Sequence, residues 1–183
     1  MALSRRPGLS PFLFPHASDP ARQASEQASP APRCTVSLSR GELFVLASIR
    51  AFVAPILRPK ADHPDWRELF ALAEMSPVAE AEFARLMHLI GSWAVREIAI
   101  RCCHCPTVGA DERLLLDLVA ALQCENSEGG RAILSTILPP PVVPGAAYAA
   151  ERFAAAAAAA GYRLRPSERA PRNHGGALPR EPL

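Results

Sequence analysis

From Ser39 to Leu164 apolar residues recur at spacings of three and four, the period of a helix face, and no stretch alternates with the period of a half-buried strand. The first stripe runs Leu43, Leu46, Ile49, Phe52, Val53 and Ile56. Ser39 precedes it with Glu42 three positions on, the two halves of a capping box in which the hydroxyl accepts from a backbone N–H of the first turn and the carboxylate reaches back to the cap. Pro55 is expected to end or kink this helix, because its ring removes a donor and crowds the carbonyl four residues earlier. Pro64 suits the first position of a second helix carrying Trp66, Leu69, Phe70 and Leu72.

Ser76-Pro77 opens a third helix, whose inward face is expected to hold Val78, Phe83, Leu86, Met87, Ile90 and Trp93, with Ala94 and Ile98 continuing it. Gly109 or Asp111 starts a fourth, with Leu114, Leu115, Leu118, Val119, Ala121 and Leu122 facing in and Cys124 near its end. Asn126 or Ser127 opens a short fifth holding Ile133, Leu134, Ile137 and Leu138, which Pro139-Pro140-Pro141 stops. A last helix spans about 146–160 and ends at Gly161, a residue suited to left-handed termination. No repeat of fixed length occurs. The expected class is all-α, a single compact bundle of five to six helices.

Composition divides the chain. Its 183 residues allow one domain, and 49% hydrophobic content suffices for a core. Most of the 19 prolines fall before Arg33, between Pro139 and Pro144, or from Pro166 onward. The expected organisation is therefore a basic Pro/Ala/Ser-rich disordered tail over 1–38, a helical domain over 39–164 and a second basic disordered tail over 165–183.

Charge changes the picture little. The net value is +2, yet acids outnumber bases in the helical stretch and bases outnumber acids in both tails. A nucleic-acid partner would call for positive charge concentrated on a folded face or in a dense run, and neither is visible, so none is expected. Lys60 is the only lysine, so the many arginines reflect compositional bias rather than a binding signature. No run reaches the roughly 18–20 apolar residues that a membrane span requires, so no membrane partner is expected either. Leu13 and Phe14 sit between Pro11 and Pro15, which breaks any secretory-type apolar stretch, and a cytoplasmic setting is expected. In that compartment the five cysteines should be reduced.

The chemistry-bearing stretch is Arg101-Cys102-Cys103-His104-Cys105-Pro106, just ahead of the fourth helix. Cys102 and Cys105 have the spacing that lets two thiolates reach one metal ion or one another. Three readings are open. The cysteines could pack as small apolar residues in a connecting loop. Cys102 and Cys105 could chelate zinc or iron, with Cys103 or His104 and the more distant Cys124 or Cys34 completing the set. Or the thiols could form a switch, oxidant joining Cys102 to Cys105 or one of them to Cys124. No second ligand pair follows at metal-site spacing, so packing without a cofactor is the preferred reading.

Asp111 and Glu112 at a helix start complement its dipole. Their functional readings are mixed ligation with Cys105 or His104, or docking of an arginine from a partner. His88 is expected to be a partly buried structural residue, and Trp66 and Trp93 core anchors. The alanine-rich last helix either docks on its own domain or serves as a detachable arm anchored by Tyr148, Phe153 and Tyr162. No phosphate loop, nucleophile elbow or dinucleotide fingerprint occurs, so catalysis is not expected. The leading functional expectation is a small helical adaptor or regulatory protein whose partner is another protein. The alternative is a metal-binding or thiol-redox-responsive protein using the cysteine cluster.

Overall fold

Ser39 and Glu42 form the expected capping box: Ser39 Oγ accepts from the Glu42 N–H at 3.3 Å and Glu42 Oε2 from the Ser39 N–H at 2.9 Å. The helix they open, α1, covers Arg40–Leu57. It carries Pro55 inside its last turn and closes two residues later, so the proline shortens the helix rather than breaking its middle. The structure is a computed structural model, and it describes residues 35–59 and 61–165. Of the expected tails over 1–38 and 165–183, residues 1–34 and 166–183 lie outside the described residues. Within the described part of the first tail, Thr35–Ser37 makes a 3-10 turn, and the Thr35 N–H donates to the Pro106 carbonyl at 2.7 Å.

Five further helices follow. α2 is Trp66–Leu72, capped by Asp65 rather than begun at Pro64, because the carboxylate accepts from the Arg67 N–H at 2.9 Å. α3 is Pro77–Trp93, capped by Ser76 with Pro77 in its first turn as expected. α4 is Ala110–Gln123, α5 is Ser127–Ser135 with Asn126 as cap, and α6 is Val143–Ala159. The last starts earlier than expected, since Pro144 fits a first turn where its missing N–H costs nothing. No β-strand occurs among the described residues.

Three helices end in the same way. After α2, α4 and α6 the residues Glu74, Glu125 and Gly161 adopt positive φ (54°, 59° and 85°), and the next residue's N–H reaches back to the third-last helical carbonyl. Only Gly161 takes this conformation without a steric penalty.

The core lies where α6 packs along α3 and against α4 and α5, while α1 packs on α2 and α4. On α6 the buried positions are small: Ala146, Ala147, Ala149, Ala150, Ala154 and Ala157. These bring the helix backbones close, and Phe153 supplies the one large side chain. Phe153 joins Phe83, which touches Phe70 at 5.1 Å between ring centroids and Trp66 at 5.4 Å. The alanine helix is thus docked on its own domain, with Phe153 and Tyr162 buried and Tyr148 exposed.

Several expected core positions fall outside. Leu43 and Ile56 are exposed near the two ends of α1, and Val78 in the first turn of α3. Trp93 is 56% exposed, because it is the last residue of α3 and the inward position one turn past Ile90 goes to Ala94. His88 is exposed, its ring edge-on to Phe52 at 5.3 Å.

Candidate functional site: the cysteine loop and its buried ion pair

The middle of α1 is enclosed on every side: Ser48, Ile49, Arg50 and Ala51 are four consecutive buried residues. Arg50 sits one turn after Leu46 and one before Ala54, on a stripe that should be apolar, and only 3% of its side chain is exposed. Burying a cation there requires a partner, and the first turn of α4 provides one in Glu112, which is fully buried. Arg50 Nε donates to Glu112 Oε1 at 2.8 Å and Nη2 to Oε2 at 2.9 Å, a two-pronged ion pair.

Both partners also organise the loop between α3 and α4. Arg50 Nη1 donates to the Cys105 carbonyl and Nη2 to the Thr107 carbonyl, each at 2.7 Å. Glu112 Oε1 accepts from the Arg101 N–H at 2.9 Å and Oε2 from the Gly109 N–H at 2.8 Å. Each carboxylate oxygen therefore takes two hydrogen bonds, one from the guanidinium and one from the loop backbone. Burial works to lower the Arg50 pKa, but hydrogen bonding to Glu112 and its charge outweigh that, with Cys105 and Cys102 adding, and it lies above the ordinary value. Asp111 repeats the device nearer the surface, accepting from Arg96 Nη2 at 2.6 Å and from the Ala99 N–H at 2.8 Å. A second ion pair, Arg113 Nη1 to Glu42 Oε1 at 2.9 Å, also ties α4 to α1.

The acids at the start of α4 thus hold arginines of this same chain. Neither of the two functional readings, mixed ligation with Cys105 or His104 or docking of an arginine from a partner, describes the arrangement. Their oxygens are taken up by Arg50, Arg96 and loop amides.

Inside the loop the Cys105 N–H donates to the Cys102 carbonyl at 3.0 Å, closing a turn over Cys103 and His104. Cys102, Cys103 and Cys105 are half-buried and reduced, and His104 is exposed. Burial pushes the Cys103 thiol up, the neighbouring Cys102 adds to this, and Arg50 pulls the other way. Cys124 does not join them. It follows the last residue of α4 while the loop abuts the first, so the length of a 14-residue helix, about 20 Å, separates the two. Cys34 lies outside the described residues. Among the described residues no three His, Cys, Asp or Glu side chains gather in a way that could hold a metal ion.

The residue that sequence reasoning missed is Arg50. Its signal was present, a base on an apolar helical stripe between Leu46 and Ala54, and it implied a buried acid elsewhere in the chain. Chemically, the arrangement leaves Arg50 no role in binding an outside anion, because Glu112 and two carbonyls engage its donors. What it offers is a guanidinium, paired with Glu112, that fixes the backbone of the cysteine loop. No protein-family model, characterised protein or solved structure matches the chain.

Proposed function

We propose that this protein works by binding another protein, as a small helical adaptor or regulatory subunit, and that the surface it offers is the end of α3. The observation that supports this most is Trp93, 56% exposed, followed two positions on by Val95, 62% exposed. Neither lies on a frayed end: the Val95 N–H donates to the Ile137 carbonyl at 3.0 Å, which fixes the segment against the chain between α5 and α6. An exposed tryptophan on an anchored backbone, beside an apolar neighbour, is the residue type that dominates protein interfaces when a partner desolvates it. A cytoplasmic setting belongs to the same proposal. No helix among the described residues is long and apolar enough to cross a membrane.

The test compares proximity labelling in cells by the wild-type protein and by Trp93→Ala, after circular dichroism has shown the two equally folded. A defined partner labelled by the wild type and lost with Trp93→Ala is expected. An unchanged set of labelled proteins would overturn the assignment of this surface.

A further inference from the structure

The loop places two thiols at the two ends of one hydrogen-bonded turn and sets a buried guanidinium beside them. A turn closed from residue i to residue i+3 brings its end Cα atoms within about 7 Å. A disulfide spans Cα separations up to about 6.8 Å, so the turn brings Cys102 and Cys105 close to that range. Arg50 is held in place by Glu112 and donates to the carbonyl of Cys105 itself. An arginine beside a half-buried cysteine is the kind of setting in which reactive thiols are found.

We propose that Cys102 and Cys105 form a peroxide-reactive dithiol, with Cys105 as the attacking thiol, Cys102 as the resolving thiol and Arg50 as the positioning residue. The ligand class is a hydroperoxide. The Cys105 thiolate attacks one peroxide oxygen, the O–O bond breaks, and the other oxygen leaves as water or an alcohol after taking a proton, which gives a sulfenic acid. The Cys102 sulfur then attacks the Cys105 sulfur. Its proton and the sulfenic hydroxyl leave together as water and the S–S bond forms. Overall two thiols lose two electrons and two protons, and the peroxide is reduced by two electrons. This inference is independent of the proposed binding surface at Trp93, which lies outside the turn.

Cys124 is an internal reference: it is exposed and stands about 20 Å away at the far end of α4. The experiment treats the full-length protein with hydrogen peroxide and maps the thiols by mass spectrometry. Trypsin releases residues 102–113 as one peptide. The expected result is loss of two hydrogens from that peptide, reversed by dithiothreitol, at a rate about tenfold or more above oxidation of Cys124. Cys103→Ser should still give the bond, and Cys102→Ser should stop at a sulfenic acid on Cys105 that dimedone captures. Neither change touches the ion pair, so both variants should fold. Arg50→Lys, once circular dichroism has shown it folded, should slow disulfide formation while leaving the oxidation of Cys124 unchanged, a loss confined to the turn. Oxidation of Cys102 and Cys105 no faster than that of Cys124, or a disulfide to Cys103 or Cys34 instead, would overturn the proposal.

Discussion

Two of the contacts between helices use opposite physics. Along α3 and α6 the helices meet through buried alanines and the Phe83–Phe153 ring pair, a contact that is apolar, non-directional and spread over many positions. Between α1 and α4 the decisive link is one ion pair, Arg50 with Glu112, supported by Glu42 with Arg113. The first contact loses energy gradually as atoms are removed. The second depends on both partners, because removing one leaves an unpaired charge in the interior. It also does what the apolar contact cannot: its spare donors and acceptors fix the backbone of the cysteine loop.

The largest expected effect comes from breaking the polar side. Glu112→Ala should cost about 3–5 kcal/mol in urea unfolding, since Arg50 would remain buried and unpaired. Arg50→Met combined with Glu112→Leu should recover much of that loss, because the buried charge goes with its partner. A double variant less stable than Glu112→Ala would show that the loop contacts, rather than charge burial, dominate.

Phe153→Ala, on the apolar side, should cost a comparable amount, about 3–5 kcal/mol, by opening a cavity. Ala150→Leu should cost about 1–3 kcal/mol there, because added methylenes must force α6 away from its neighbours. If Ala150→Leu were neutral, the close approach of the helices would not be what the alanines supply.

Acid should separate the two regions further. Burial acts to raise the Glu42 carboxyl, but the Ser39 N–H, Arg113 and the Ser39 hydroxyl outweigh it and hold its pKa below the ordinary value. A carboxyl lowered on folding contributes stability that is full above its unfolded pKa and is lost as pH falls through the folded one. Stability should therefore drop below about pH 4.3, the unfolded glutamate value, and the drop should be smaller in Glu42→Gln. Equal acid sensitivity in both proteins would remove Glu42 from the account. The smallest effect is expected for Trp93→Ala, within about 0.5 kcal/mol of wild type, as befits an exposed side chain.

What was legible in the sequence follows the same division. The apolar helices were readable because a stripe such as Phe83, Leu86, Met87 and Ile90 states its own periodicity, and caps such as Ser39 with Glu42 are local. Errors clustered at element ends, where Leu43, Ile56 and Trp93 keep the period but run out of neighbours. The site was half legible. The cysteines announced a loop, but their organisation depends on Arg50, 62 positions from Glu112. Neither charge says locally that it is buried, and Asp111 and Glu112 already had a sufficient local explanation in the helix dipole. Separation along a helix is also invisible until the helix is placed, which is why Cys124 could be grouped with Cys102 and Cys105.

Amide hydrogen exchange followed by NMR tests most directly whether the buried pair holds the loop. The Arg101 and Gly109 amides lie in a loop outside any helix, and their acceptor is the Glu112 carboxylate. If the account holds, both exchange as slowly as the Leu118 and Val119 amides in the buried middle of α4, and both lose that protection in Arg50→Met with Glu112→Leu while Leu118 and Val119 keep theirs. Fast exchange of Arg101 and Gly109 in the wild-type protein would contradict it.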